Sequence, residues 1–335
     1  FNPVLFYFFR SNWLQTEQFS HSLCQDCDPF SLNPIPCRLV LLTKKDEKMS
    51  YKTRILYATA LFLPFLAHAA SSQNTGYTVS DQVIKDQRAA LAKNTFDKGY
   101  GPQSPRDIDN IQGNNKRTFA QAPAYTKMNL CNIHFHKNAE HKGGEFTQHA
   151  GNGDGYGYRG GYQYSGELSE VELTPLTQEI GASKHGSLYP GDTIEVHYVH
   201  STAKVTPGAT LGACLSEANM NPQLRVETQV FVLVNDSEAE DFNDLTKLGM
   251  VNGLNQAMNI PSDSGKPVQY TGSTTGPSYN EKASPLQVSW SVRPEVIKLN
   301  IDSVGKWLES NAFDEDHAHG VRNLVVNPDL LSNAQ

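Results

Sequence analysis

The sequence predicts a mainly β protein of the α+β class, folded as a single domain with few helices. Beyond residue 100 the apolar segments are short and either alternate or run continuously, which is typical of strands. Few long amphipathic runs compete with them. Residues 151–166 are rich in Gly and Tyr, and they exclude a regular helix because each interior glycine costs about 1 kcal/mol.

The elements follow in chain order. Residues 80–94 have apolar residues at helical spacing, with Ser80 as the expected N-cap. Four segments carry strand patterns: 133–136, 193–200, 229–234 and 286–292. We interpret 151–166 as a long surface loop, either a spacer or a substrate-binding segment. The polar stretch 236–259 has some helical character and is expected to cap a sheet edge.

The N-terminal region has the pattern of an export signal. Because the first methionine is Met49, residues 1–48 are expected to lie upstream of the native translation start. Residues 49–69 contain a basic start, an apolar run and the small-x-small sequence Ala67-His68-Ala69, as a signal peptide does. A membrane anchor is the alternative, but the apolar run of about 12 residues is shorter than the roughly 20 that a span needs.

This pattern predicts a secreted or periplasmic protein, without a stable membrane anchor after cleavage, whose domain covers residues 70–335. The whole chain has a formal charge of −7, and residues 70–335 carry 21 Lys and Arg against 30 Asp and Glu, a charge of −9. An acidic surface repels nucleic acid, so we expect no nucleic-acid partner.

Cys131 and Cys214 are the only cysteines after residue 69. In an oxidising compartment such a pair predicts one disulfide, with two free buried thiols as the alternative. A bridge would brace the region around the histidines described next.

Three histidines form a candidate metal site. His134 and His136 lie on one face of a predicted strand, because side chains alternate with a period of two. His197 is the third candidate. Three neutral imidazoles leave zinc one open position for water, which is the catalytic arrangement.

Glu195 precedes His197 by two residues and therefore shares its face, where it can fix the imidazole tautomer from the second coordination shell. Val199 lies on the same face. His200 points to the opposite face and is both a second-shell candidate and the rival third ligand.

Several short motifs together resemble those of carbonic anhydrases. In chain order they are QSPRDI at 103–108, HFH at 134–136, GEFT at 144–147, EVHYVH at 195–200, GSTT at 272–275, and Trp290. They are similar to the QSPxDI, HFH, GSEHT, ELHLVH and GSLTT signatures of the α-class, in the same order. The surrounding CNIHFHKNAEHKGGEFT is more similar to the δ-class and its bacterial relatives, so the chain is identified as δ-class-like.

The resemblance implies a twisted, mostly antiparallel sheet with few peripheral helices. It also implies reversible, zinc-dependent hydration of carbon dioxide to bicarbonate and a proton, by hydroxide on Zn²⁺ held by His134, His136 and His197. Thr274 or Thr275 would orient that hydroxide and pass a proton to Glu145.

Val199, with Val230 or Val232, would form the apolar pocket for carbon dioxide, although ordinary core packing is the alternative. Residues 109–133 contain no histidine, so the proton shuttle of the α-class has no counterpart there. The candidates are His141, His149 and His185, or direct access of buffer.

Two other functions stay open at this point. His134, His136 and Glu140 form an HxHxxxE pattern, and Pro190-Gly191-Asp192 resembles a cupin turn, which would indicate a metal-dependent oxygenase or isomerase. The second alternative is a zinc-binding module that has lost its activity. The retention of all three histidines argues against it. The sequence does not distinguish zinc from cobalt or cadmium and indicates no oligomeric state.

Overall fold

The computed structural model describes residues 78–335, which lie within one compact unit. The segments 1–48 and 49–69 fall outside the described residues, so the upstream segment and the signal peptide stay predictions. None of the helices in the described part has the length and apolar character that a membrane crossing requires.

Strands dominate the described residues, and only three α-helices accompany them. The strands are β1 Asn129–Lys137, β2 Gln148–His149, β3 Tyr162–Gln163, β4 Ile180–Ser183, β5 Gly186–Leu188, β6 Thr193–Ser201, β7 Leu224–Val234, β8 Leu248–Val251, β9 Leu254–Ala257, β10 Val268–Ser273 and β11 Gln287–Asn300. The helices are α1 Asp81–Thr95, α2 Phe242–Leu245 and α3 Ile301–Glu309.

The central sheet has five strands in the order β1-β6-β7-β11-β10. Three of its four pairings are antiparallel, and β7 pairs with β11 in parallel, so the sheet is mixed. The predicted mainly β class is confirmed. The four predicted strands appear as the longer β1, β6, β7 and β11, whereas β10 was not predicted.

The two faces of this sheet bury different side chains. One face packs under α2 and α3, where the ring of Phe135 lies 5.8 Å from that of Phe242 and 6.0 Å from that of Trp307. The other face holds a second apolar cluster that includes Val199 and Trp290. Every residue of β6 is buried, because this strand lies inside the sheet between both layers.

The segment 236–259 is less helical than the sequence predicts. Only the four residues of α2 are helical, and β8 and β9 then form an antiparallel hairpin. Its turn is Asn252-Gly253, both with positive φ (52° and 78°), which is the turn chemistry that a two-residue hairpin favours. The polar composition therefore belongs to an exposed hairpin.

α1 forms within one residue of its predicted bounds, although the Ser80 side chain makes no capping hydrogen bond. Residues 151–166 are irregular apart from β3, but they are partly buried and pack against neighbouring segments. Gly157 illustrates why: its φ is +104°, and a Cβ there would lie 2.6 Å from Pro277 Cγ.

The C-terminal residues 319–325, which we call the C-terminal segment, run alongside β1. The His319 N–H donates to Phe135 O at 2.9 Å, and the Lys137 N–H donates to His319 O at 3.1 Å. The Val321 N–H donates to Gly157 O at 2.7 Å, so the same segment also contacts the loop 151–166.

The expected disulfide between Cys131 and Cys214 is present, with 5.0 Å between the two Cα atoms. It joins β1 to the turn that follows β6, close to the histidines in sequence.

Replacing Phe135 by Ala should destabilise the fold, because the ring is 1% exposed and a large cavity would remain. We expect a loss of about 3–5 kcal/mol in the free energy of unfolding, measured by urea denaturation. Val326→Ala, at a residue that is 52% exposed, is the control and should cost about 0.5 kcal/mol or less. Equal losses in the two variants would contradict this packing.

Candidate metal centre

The pairing of β1 with β6 brings the three predicted ligands together. His134 lies directly opposite His197, and His136 lies opposite Glu195. The ring centroids of His134 and His197 are 5.0 Å apart, and those of His136 and His197 are 4.7 Å apart. One nitrogen of each histidine lies within 4.8 Å of the corresponding nitrogens of the other two, a spacing that can hold a metal ion.

Each histidine uses its other nitrogen as a hydrogen-bond donor. His134 Nδ1 lies 2.6 Å from Asn132 Oδ1, His136 Nδ1 lies 2.9 Å from Gly320 O, and His197 Nε2 lies 2.6 Å from Glu195 Oε1. All three partners are acceptors, so the protons sit on these nitrogens. This leaves lone pairs on His134 Nε2, His136 Nε2 and His197 Nδ1.

These lone pairs are available to a cation, because none of them accepts a hydrogen bond from a described residue. His136 Nε2 is buried and has no hydrogen-bond partner among the described residues. His134 Nε2 and His197 Nδ1 are 3.2 Å apart, but both are acceptors, so no hydrogen bond joins them. These three nitrogens each carry a lone pair and lie close together, and such a group of nitrogen ligands can coordinate one metal ion.

Burial also keeps the ligands neutral. It lowers the pKa of His136 to about 4, and it lowers the pKa of His134 well below 6.5, with positive charge on the neighbouring histidines as a further cause. The pKa of His197 is lowered by burial as well. Neutral imidazole is the form that binds metal. His134 is half-buried, so solvent reaches the group on that side.

Glu195 is the polar centre behind the ligands. Its Oε1 accepts from His197 Nε2 and, at 2.7 Å, from His141 Nδ1, while its Oε2 accepts from the His141 backbone N–H at 3.1 Å. Burial alone would raise the pKa of Glu195, but the contacts with His141 and His197 hold it well below its usual range. His141, Glu195 and His197 are also close enough to hold a metal ion. Their facing atoms are instead joined by the hydrogen bonds from the two histidines to Glu195 Oε1.

His141 is not placed for proton export. It is 0% exposed, and its Nε2 lies 2.7 Å from the hydroxyl of Tyr270, so both ring nitrogens have buried partners. The other two shuttle candidates lie in exposed or half-exposed positions outside the ligand group: His149 in β2, and His185 stacked on Tyr158 at 3.3 Å between ring centroids.

The structure does not bring Glu145 to the histidines. Its exposed carboxylate accepts from the Val296 backbone N–H at 2.8 Å, because it lies in the turn that runs beside β11. Glu140 lies there instead: it is 4% exposed, and its Oε1 is 3.9 Å from His136 Nδ1 and 2.7 Å from the Arg322 backbone nitrogen. Burial raises the pKa of Glu140 to about 7.

Thr274 and Thr275 follow β10, whose Tyr270 contacts His141. Thr274 is buried, and its N–H donates to Leu286 O at 3.1 Å, continuing the pairing of β10. The Thr275 hydroxyl is buried and has no hydrogen-bond partner in the described part of the chain. A buried hydroxyl without a partner in the protein is rare.

Val199 lies on the face of β6 that carries His197. Its direct partner on β7 is Val226, whereas Val230 lies opposite Glu195 and Val232 opposite Thr193, farther along the strand. The ring of Trp290 lies 5.0 Å from that of His197. Val226 and Val230 are each two residues from Thr228, the direct partner of His197, so the apolar wall beside the ligands includes both of them with Val199 and Trp290.

His200 is not part of the ligand group. It points to the opposite face of β6, where its Nδ1 donates to Tyr198 O at 3.0 Å and its ring lies 5.3 Å from that of Tyr125. Its Nε2 is buried without a partner. The structure thus separates His200 from His197, both as a rival ligand and as a second-shell residue.

The sequence did not indicate His319, which the C-terminal segment places beside the ligands. Its ring lies 5.4 Å from that of His134, and its side chain is 45% exposed. Burial alone would lower its pKa, but the Glu315 carboxylate at 2.5 Å raises it above 6.5. No local pattern links this residue to β1, because the contact depends on the path of the chain end.

Comparison with known proteins defines the class. The sequence pattern of delta carbonic anhydrase matches residues 125–303, which is more than half of the chain and includes β1, β6 and all three histidines. The chain therefore belongs to the delta carbonic anhydrase family. No curated protein matches it.

Solved structures of carbonic anhydrases are also similar. A hyperthermostable enzyme from a hydrothermal vent chimney is 17% identical, with 69% of this chain and 87% of that chain covered and a TM-score of 0.26. The alpha-carbonic anhydrase of Photobacterium profundum is 16% identical, with 73% and 95% covered and a TM-score of 0.24. A halotolerant enzyme from Dunaliella salina is 17% identical, with 74% and 95% covered and a TM-score of 0.27. These TM-scores are low, so the family assignment rests on the sequence match.

The burial of His200 predicts a pH dependence of stability. Burial lowers its pKa to about 3, against about 6.5 in the unfolded chain. Between these values the unfolded state binds the extra proton, so stability falls as the pH falls. The group should contribute a slope of up to about 1.4 kcal/mol per pH unit in that window.

The measurement is urea denaturation of the wild type and of His200→Asn, which keeps a donor for Tyr198 O, at several pH values from about 7 to 4. The wild type should lose more stability than the variant over this range. Parallel pH profiles for the two proteins would contradict the assignment.

Proposed function

We propose that this protein is a zinc enzyme that reversibly hydrates carbon dioxide to bicarbonate and a proton. The observation that carries the proposal is the convergence of three unprotonated histidine nitrogens in a chain of the delta carbonic anhydrase family. His134, His136 and His197 would hold the ion. Family membership removes the cupin alternative.

Zinc is the metal that this donor set favours, because three neutral imidazoles leave it an open coordination position. When bound, zinc lowers the pKa of a coordinated water to about 7, a value for which carbonic anhydrase itself is the reference case. The chain supplies the rest: Asn132, Gly320 and Glu195 fix the tautomers and orientations of the ligands.

We assign the proton-accepting carboxylate to Glu140 in place of Glu145. Glu140 is buried beside His136, and the Arg322 N–H holds its Oε1, whereas Glu145 faces solvent. We assign to Thr275 the role of the threonine that would orient the attacking oxygen. Its buried, unpartnered oxygen favours it over Thr274.

Val199, Val226 and Trp290 would form the apolar wall on which carbon dioxide rests. An apolar wall suits a gas that offers no strong hydrogen-bonding group, and it excludes water from the reacting face. Val230, opposite Glu195, is a further candidate for this wall, and Val232, opposite Thr193, is given a role in packing.

We also propose that the protein is exported. The signal-like pattern at 49–69 supports this, and so does the disulfide, since such bonds persist in oxidising compartments. The acidic charge of the chain agrees with a small-molecule substrate and no nucleic-acid partner.

The central test measures bound metal and carbon dioxide hydration in the purified protein. The wild type should contain about one zinc and catalyse hydration, and His197→Ala should lose both, because two imidazoles hold zinc weakly. Lys247→Ala, at an exposed position between α2 and β8, is the control and should keep both. Zinc without hydration would identify an inactive module, and a full-rate His197→Ala would refute the ligand assignment.

A second test separates the two carboxylates and the two threonines. Glu140→Gln and Thr275→Val should each lower kcat/KM by roughly 10²-fold, the usual contribution of a positioned proton-transfer group. Glu145→Gln and Thr274→Val, their matched controls, should stay within about threefold of wild type, with metal content unchanged in all four. The reverse ranking in either pair would reassign that role.

A further inference from the structure

A cavity lies next to the ligand group, with Glu140 in its lining. It has a volume of about 350 Å³ and is enclosed by α1, the loop 151–166 and the C-terminal segment. None of the three ligand histidines lines it. Its volume falls within the range of small-molecule sites, roughly 300–1,000 Å³.

Two cations of α1 face this cavity without partners. Lys85 and Arg88 are three residues apart, so they lie on one face of the helix, where like charges disfavour each other. No hydrogen bond or ion pair joins either to another described residue, and Arg88 Nε is buried without a partner. Asp81, one turn before Lys85, forms no ion pair with it among the described residues, and its Oδ1 accepts from Asn152 Nδ2 at 2.7 Å.

Arg322 adds a third cation to the lining. It is 1% exposed, and its two terminal nitrogens donate to protein oxygens, including Ser104 O at 2.7 Å and Tyr279 O at 3.0 Å. Its Nε is buried and, like that of Arg88, has no partner among the described residues. A buried N–H donor without an acceptor is costly. Arg88 and Arg322, which line the same cavity, therefore each have a buried Nε–H group without an acceptor.

Two carboxylates also line the cavity. Asp81 is bonded to Asn152, and Glu140 accepts from the Arg322 backbone N–H. Neither forms an ion pair with Lys85 or Arg88 within the described residues. The cationic side chains of the lining, Lys85, Arg88 and Arg322, nevertheless outnumber these two carboxylates, and the two arginine Nε–H groups have no acceptor among the described residues.

We propose that this cavity binds a small oxoanion, such as a phosphate or a carboxylate group, between Lys85 and Arg88. Charged oxygens match free N–H donors in a positively charged site, and such charge-assisted bonds are stronger than neutral ones. Bicarbonate belongs to the same chemical class. The site does not depend on the proposed catalytic function.

The test follows the arginine Nε–H signals of the ¹⁵N-labelled full chain by NMR during titration with inorganic phosphate, acetate and bicarbonate, against sodium chloride at equal ionic strength. The Arg88 Nε–H signal should shift saturably with at least one oxoanion and not with chloride. Phosphate alone would indicate a tetrahedral ligand, and acetate or bicarbonate a planar one; each supports the site.

Variants locate the binding. Arg88→Gln should weaken anion affinity about tenfold or more, measured by calorimetry, and Arg88→Lys, which keeps the charge but lacks the Nε–H donor, should weaken it less. Lys93→Gln, which removes an exposed charge from the last turn of the same helix, is the matched control. The Arg88 response should persist in His197→Ala, which excludes anion binding at the metal centre as its source.

Two results would overturn the proposal. One is an Arg88 signal that responds to no oxoanion, or equally to chloride. The other is equal affinity in Arg88→Gln and Lys93→Gln.

Discussion

The register between β1 and β6 is the constraint on which the rest of the site depends. It sets His134 opposite His197 and His136 opposite Glu195. A shift by one residue would turn one strand's ligands to the other face of the sheet, since side chains alternate. The residues between the ligands oppose such a shift: Ile133 and Phe135 are buried on the far face, and a slip would bring them among the imidazoles.

Polar groups inside this sheet are tolerated because almost every one of them has a partner. Glu195 carries a charge in a fully buried position, and His141 and His197 together supply three donors to it. A buried charge without such bonds would be strongly unfavourable. Two buried atoms near the ligands have no hydrogen-bond partner among the described residues: His136 Nε2, to which we assign the metal, and the hydroxyl of Thr228, which lies directly opposite His197 on β7.

Strand alternation explains how much of the site the sequence could predict. It placed His134, His136, His197 and Glu195 on their faces, and it separated His200 from His197. The same rule could have found Asn132, two residues before His134. The sequence singled out Glu140 only in the HxHxxxE pattern of the cupin alternative and gave the proton-accepting role to Glu145, because the burial that distinguishes the two carboxylates exists only in the folded chain.

Other features have no local signal. Gly320 bonds to His136 across 184 residues, and the Arg322 N–H bonds to Glu140 across 182, so only the chain path reveals them. The hairpin β8–β9 did have a signal in Asn252-Gly253, but the polarity of the segment obscured it. β10 is short and carries Gly272 and several polar residues, so it lacks the apolar pattern of its neighbours.

The C-terminal segment has a consequence for how the protein is made. During synthesis the three histidines emerge long before residues 320 and 322, which complete the hydrogen bonds of His136 and Glu140. The orientation of His136 and Glu140 therefore depends on residues far along the chain from both of them. A chain without residues 320 and 322 would carry all three histidines and still lack the groups that hold His136 and Glu140.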